Sequence, residues 1–202
     1  MQNKAADDAT MAFYASVAPV YAATGVGGTS RHLPDLLGLL ALNAHVLELG
    51  CGGGRDAEAM FAAGFQVDPT DGSPAVARQA AARLGRPVRV MRFDELKAMD
   101  VYDAVWANAS LLHVPREQLT SVLSLVFRAL RPGGFHFASY KSGDAEGRDS
   151  EGRYFNYPSR SHLVEAYGRA GNWEILAITD YVGGGYEQGE GPWVAITLRK
   201  PA

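Results

Sequence analysis

Val46-Leu47-Glu48-Leu49-Gly50-Cys51-Gly52-Gly53-Gly54-Arg55-Asp56 is the stretch from which the fold is read. An apolar run ends in an acid, four glycines fall within five residues, and an Ala-rich pattern of helical spacing begins at once. That is strand, tight turn, helix. Glycines crowd such a turn where the backbone needs dihedrals that side chains forbid, or where a ligand lies directly against the main chain. A dinucleotide fingerprint requires Gly-x-Gly-x-x-Gly, yet counting from Gly50 and Gly52 its third glycine falls on Arg55. A phosphate loop is excluded as well, because no Gly-Lys-Ser/Thr follows. The pattern present is acid-x-Gly-x-Gly-x-Gly: Glu48, Gly50, Gly52, Gly54.

Outward from this turn, strand and helix patterns alternate. The first strand spans His45 to Leu49 and a helix runs from Arg55 to Ala63, stopped by Gly64. Upstream, Ala9 to Ala23 carries Phe13, Tyr14, Val17, Val20 and Tyr21 at helical spacing around Pro19, which predicts one or two short helices. Thr24 to Ser30 reads as a flexible connection, and Ser30 as the cap of a helix from Arg31 to about Leu42. Downstream, Phe65 to Thr70 is the second strand, its Pro69 suggesting an edge-like or bulged end. Ser73 and Pro74 then open a helix that runs to about Leu84. Asp71 thus sits at the carboxyl end of the second strand, 19 residues beyond Gly52, where an acid in a nucleotide-binding α/β unit accepts from ribose hydroxyls. Asp68 competes for that role, but the strand ending and the following Ser-Pro favour Asp71, and only without Glu48 and the glycines would an ordinary turn residue be the preferred reading of Asp71-Gly72.

Pro87 to Met91 is a third strand and Val101 to Ala107 a fourth, leading into Asn108-Ala109-Ser110-Leu111-Leu112-His113-Val114-Pro115. A helix from Pro115 to about Leu130 shows Leu119, Val122, Leu123 and Val126 on one face, and Arg131-Pro132-Gly133-Gly134 ends it before a fifth strand, Phe135 to Tyr140. Lys141 to Gly152 reads as a mobile loop, and Ser159 to Ala170 as a helix closed by Gly171. Trp173 to Tyr181 and Pro192 to Arg199 are the last strands. Their short Gly-rich connection makes them an antiparallel pair. The whole reads as a three-layer α/β fold with one antiparallel strand.

With the glycine motif, Asp71, Tyr102-Asp103-Ala104-Val105, Leu111-Leu112-His113-Val114-Pro115 and the Leu-Arg-Pro-Gly-Gly turn in place, the chain resembles the class I S-adenosylmethionine-dependent methyltransferases. Within them it is most similar to the tellurite-resistance and quinone-biosynthesis group, over about residues 45 to 140. The resemblance implies a Rossmann-like seven-stranded, mostly parallel sheet of order 3-2-1-4-5-7-6 across one domain, 1–202, in which residues 1–30 form a helical lid segment and 31–202 the α/β core. It implies S-adenosylmethionine as cofactor, S-adenosylhomocysteine as product, and a small-molecule acceptor. The cofactor would meet Glu48, Gly50, Cys51, Gly52 and Gly54 at the turn, Asp71 and Gly72 at the ribose, Phe93 and Asp94 at adenine, and Asn108 through its carbonyl. Asp94 equally suits a helix cap. His113 is the candidate base if the acceptor arrives protonated, or else a structural histidine. Tyr14, Tyr21, Arg153, Tyr154 and Tyr157 are candidates for the acceptor side, with ordinary packing and loop anchoring as the alternative.

Methyl transfer from a sulfonium requires no catalytic triad, since the leaving group departs neutral and alignment supplies much of the acceleration. Two other readings stand beside it: a protein that binds the same cofactor without catalysis, and a nicotinamide-dependent oxidoreductase, disfavoured by the broken fingerprint and the absence of a Tyr-x-x-x-Lys pair. Asn108 is followed by Ala-Ser-Leu rather than the Pro-Pro-Tyr/Phe of DNA-base methylating enzymes, and the net charge of -3 offers nucleic acid no attraction. The five histidines and Cys51 show no metal-ligand spacing, so no metal is expected. One cysteine excludes an internal disulfide. No apolar run approaches the roughly 18 to 20 residues of a membrane span, and Met1 to Asp8 lacks the pattern of a secretory signal. A cytoplasmic protein, monomeric or weakly dimeric, is expected.

Overall fold

The computed structural model describes residues 5–23, 28–186 and 188–202. Residues 24–27 of the expected flexible connection lie outside them. In chain order the elements are α1 (Asp8–Ala23), α2 (Leu33–Leu37), β1 (His45–Leu49), α3 (Arg55–Ala62), β2 (Gln66–Asp71), α4 (Pro74–Leu84), β3 (Arg89–Val90), β4 (Tyr102–Ala107), α5 (Arg116–Ala129), β5 (Leu130–Lys141), β6 (Gly147–Arg148), β7 (Tyr154–Phe155), α6 (Arg160–Ala170), β8 (Glu174–Gly185) and β9 (Gln188–Arg199).

Seven strands form one sheet in the order β3-β2-β1-β4-β5-β9-β8, with β6 and β7 paired apart from it. The first five are mutually parallel, and β9 runs antiparallel to both its neighbours. This is the expected path, with the final pair renumbered by the small β6–β7 hairpin. The central strands are buried on both faces, as parallel strands between helix layers must be. Along β1 the side chains alternate: Val46 joins Leu36, Met60, Trp106 and Phe137 under α2 and α3, while Leu47 and Leu49 join Val122, Leu123, Val126 and Leu163 under α5 and α6.

Several local expectations change. The helix predicted from Arg31 to about Leu42 is only Leu33–Leu37, with His32 rather than Ser30 at its N-cap. The Ser30 amide is committed to Asp56 Oδ1 at 2.8 Å, and beyond Leu37 the chain tightens into three-residue turns, Leu39 N to Leu36 O and Leu40 N to Leu37 O. Pro19 does not divide α1, which is one helix of 16 residues. Pro69 lies inside β2, but β3 pairs only with Thr70 and Asp71, so the edge at Pro69 is open. Thr70 O takes the Gly50 and Cys51 amides, so by strand alternation Pro69 turns its missing N–H to that open edge. The expected loop at 141–152 holds β6, and the glycine segment 183–191 is mostly strand.

Candidate functional site

At the carboxyl ends of β1, β2 and β4, two cavities meet over the glycine turn. The larger, ≈ 320 Å³, is lined by Glu48, Asp56, Asn108, residues 28–32 and the Tyr181, Gly183–Gly185, Tyr186 and Trp193 surface of the β8–β9 hairpin. The smaller, ≈ 80 Å³, is lined by Asp71, Gly72, Ser73, Phe93, Ser110, His113 and, from α1, Thr10, Met11 and Tyr14. Tyr21, Gly50, Gly52 and Ala109 border both.

The turn is shaped by close approach as much as by dihedrals. Gly50 (φ 73°) and Gly52 (φ 53°) are left-handed. A Cβ on Gly50 would stand 2.6 Å from Ser110 Cβ, and one on Gly52 2.9 Å from Tyr21 Oη. Gly54 ends the turn as the N-cap of α3. Cys51 is buried and its thiol is pushed well up by burial and by Glu48 and Asp71, so it is an inert small residue.

Asp71 braces the turn. Its Oδ2 accepts from Gly52 N at 3.1 Å and its Oδ1 from Ser73 N at 2.8 Å, which leaves a lone pair on each oxygen for a ligand hydroxyl. Burial raises its carboxyl to about 6 against the pull of those two amides. Asp68, the competitor, accepts instead from Tyr102 Oη at 2.8 Å and lines neither cavity.

Glu48 is only 3% exposed, and its Oε2 has no hydrogen-bond partner. Burial first, then Asp56 and Asp71, push its carboxyl well above the usual range. Asp56, which the sequence reading passed over, is the hub of the larger cavity. Its Oδ1 accepts from Ser30 N (2.8 Å) and its Oδ2 from Trp106 Nε1 (2.9 Å) and Asn108 Nδ2 (3.5 Å). Asn108 Oδ1 in turn accepts from Ser139 Oγ at 2.8 Å. The missed signal was position: the second residue after a glycine turn, in the first turn of the helix, points back at whatever the turn holds.

α1 roofs both cavities. His113 Nδ1 lies 2.7 Å from the Tyr154 carbonyl and its Nε2 3.0 Å from Tyr14 Oη. A carbonyl only accepts, so Nδ1 carries the proton and Nε2 accepts from Tyr14. Burial lowers His113 to about 4, and the imidazole is neutral at neutral pH. Arg153, Tyr154 and Tyr157 line neither cavity. Arg153 is 1% exposed, its Nε donating to Asp149 Oδ2 at 2.8 Å and its guanidinium lying 4.6 Å from the centre of the Phe13 ring. Tyr154 N donates to Thr10 Oγ1 (2.8 Å), and Tyr157 O accepts from Arg116. Arg153 and Tyr154 form the floor on which α1 is seated. Phe93 reaches the smaller cavity; Asp94 is exposed, pairs with Arg92 at 3.3 Å, and lines neither. Among the described residues no group of three or more metal-donor side chains converges, and no helix is long and apolar enough to cross a membrane.

Residues 46–134 match a family model described as a methyltransferase domain. Over 103 residues, 48% of this chain, the sequence is 34% identical to a ubiquinone biosynthesis O-methyltransferase of Xanthomonas oryzae pv. oryzae. That match spans 42% of the relative's own length. Among solved structures, the 1,6-didemethyltoxoflavin-N1-methyltransferase of Burkholderia thailandensis, with 1,6-didemethyltoxoflavin and S-adenosylhomocysteine bound, superimposes with a TM-score of 0.78 at 20% identity, over 96% of this chain and 88% of that one. The [4+2]-cyclase SpnF superimposes with a TM-score of 0.75 at 18% identity, over 98% of each. Likeness at that identity establishes the fold, and the cyclase shows that one fold carries more than one chemistry.

Proposed function

We propose that the chain, whose residues 46–134 match a methyltransferase-domain model, is a class I S-adenosylmethionine-dependent methyltransferase that transfers a methyl group to a small-molecule acceptor held in the larger cavity. The observation that carries this reading is the buried carboxyl set, Glu48, Asp56 and Asp71, spread along a glycine turn that leaves room for a ligand on its backbone. The donor set fits the cofactor. Glu48 Oε2 lacks a partner, and burial raises all three carboxyls, at Asp56 against the opposing pull of Arg55. S-adenosylmethionine brings an ammonium and a sulfonium, and it supplies an electrophilic methyl group.

In this reading Asp71 accepts from the ribose hydroxyls, Phe93 and Met11 bound the adenine, and Glu48 faces the ammonium. Cys51, Gly50, Gly52 and Gly72 give the backbone cradle, and Asn108 the far wall; Gly54, expected there from the motif, lines neither cavity and is a glycine because Ala80 and Leu84 of α4 pack against it. Tyr14 and Tyr21 exclude water from above, where a dry site strengthens each polar contact. His113, with both nitrogens engaged, seats Tyr14; as a base it would first have to release that hydroxyl. At ≈ 80 Å³ the smaller cavity falls short of the roughly 300 Å³ at which ligand pockets begin, so α1 shifts outward when a nucleoside enters.

The test is incubation with methyl-labelled S-adenosylmethionine and panels of phenols, catechols, heteroaromatic N–H compounds, thiols and metalloid oxyanions, reading both labelled product and S-adenosylhomocysteine. Acceptor-dependent formation of both is expected. Tight cofactor binding with no transfer to any class would favour the non-catalytic reading.

A further inference from the structure

One buried hydroxyl at the smaller cavity has no task within the fold. Ser110 stands directly before the short turn Leu111–His113, where a serine ordinarily caps the amides that follow. Its side chain makes no such bond, and its Oγ has no hydrogen-bond partner although the residue is only 6% exposed. Ser110 lines the smaller cavity together with Phe93. A Cβ placed on Gly50 would lie 3.3 Å from Ser110 Oγ and 3.7 Å from Phe93 Cζ, so hydroxyl and ring sit side by side over the end of β1. A purine resting on Phe93 therefore brings an edge to Ser110.

Adenine has one donating group besides its link to the ribose, the exocyclic amine, and burying that amine without an acceptor is costly. The other polar side chains of this cavity are committed. Asp71 braces the glycine turn with both oxygens and keeps its remaining lone pairs for the ribose. Ser73 Oγ accepts from Val76 N, and Thr10 Oγ1 donates to Asp7 while accepting from Tyr154 N. Tyr14 and His113 hold each other. Tyr21 stands over Gly52, at the border with the larger cavity. Arg92 only donates, and Asp94, which the family resemblance would put at adenine, is exposed and paired with Arg92 outside the cavity. Ser110 Oγ is the side-chain acceptor left beside Phe93.

Resting on the methyltransferase reading, we propose that Ser110 holds the exocyclic group of the cofactor's purine and sets which bases the site admits. A hydroxyl turns to donate or to accept, so it satisfies an amine or a keto oxygen equally, whereas a carboxylate in that place accepts only and rejects the keto group. The site is therefore tolerant of hypoxanthine in place of adenine.

The experiment is calorimetric titration of wild type and Ser110→Ala with S-adenosylhomocysteine and with its two analogues that carry hypoxanthine or unsubstituted purine in place of adenine. In wild type the adenine and hypoxanthine compounds should bind within about three-fold of each other, and the unsubstituted purine about ten-fold more weakly, as loss of one buried hydrogen bond implies. Ser110→Ala should weaken the first two about ten-fold and leave the third as it was, which brings all three level. The melting temperature of the chain without ligand should not fall on this substitution, because the hydroxyl bonds nothing within the protein. Unsubstituted purine bound as tightly as adenine by wild type, or a gap that survives Ser110→Ala, overturns the proposal. So does rejection of hypoxanthine by wild type, which would give the exocyclic group to an acceptor-only partner such as a main-chain carbonyl. Failure of wild type to bind S-adenosylhomocysteine is seen in the first titration and sinks the methyltransferase reading itself; binding that is indifferent to Ser110 sinks only this assignment.

Discussion

Asp71 has two duties that pull on its proton in opposite directions. Burial raises its carboxyl from 3.8 to about 6, so between those values the folded chain holds more protons than the unfolded one. Stability contributed by that difference is present below about 3.8 and lost as pH rises through about 6. Cofactor binding acts the other way, because ribose hydroxyls and a nearby cation favour the ionised acid. S-adenosylmethionine affinity should therefore rise roughly four-fold from pH 5.5 to 7.5, with proton release on binding near pH 6, and Asp71→Asn should flatten both. Calorimetry in two buffers of different ionisation heat measures it; a pH-independent wild type would exclude Asp71 from the site. Glu48→Gln separates function from stability in the same manner. Replacing an acid whose buried oxygen has no partner should raise the melting temperature of the ligand-free chain, and should weaken the cofactor roughly ten- to hundred-fold, as loss of a charged hydrogen bond does. Asp71 was legible in the sequence because strand end, Asp-Gly and a Ser-Pro helix start fix its place within a residue. Asp56 was not, since its role depends on Ser30, Trp106 and Asn108, which only the fold brings to it.

Among the elements, α1 and the β6–β7 hairpin behave as one unit. Asp7 pairs with Arg148 at 2.7 Å, Thr10 accepts from Tyr154, and Phe13 lies against Arg153. Arg153→Ala should cost about 3–5 kcal/mol in urea unfolding, since it removes one partner of the buried Arg153–Asp149 ion pair and the guanidinium packed against Phe13. Unchanged stability with an altered KM would return Arg153 to the acceptor side, where the residue pattern first suggested it. The sequence could not distinguish these two because an Arg between aromatics looks the same whether the rings belong to a pocket or to a packed floor. α2 teaches the converse. Leucine spacing and a cap residue predicted a long helix, but after Leu37 the amides of Leu39 and Leu40 bond three residues back instead of four, and Leu42, counted into that helix, is 88% exposed.

Over the whole molecule, the alternation of strand and helix patterns was enough for the layers, and β1 and α4 coincide with their expected bounds because Gly50 ends the first while Ser73-Pro74 and Gly85 bracket the second. Strand order came from family resemblance alone; no periodicity encodes which strands become neighbours. The two cavities were invisible in sequence for the same reason, since they are made by α1, the glycine turn and a hairpin more than 100 residues away closing on one another. The measurement that bears most directly on this arrangement is calorimetric titration of S-adenosylmethionine and S-adenosylhomocysteine into the wild-type chain and into Asp71→Ala. Binding of both by wild type, weakened roughly ten- to hundred-fold by the substitution while the fold is kept, is the predicted result. A folded wild-type chain that binds neither compound would contradict it.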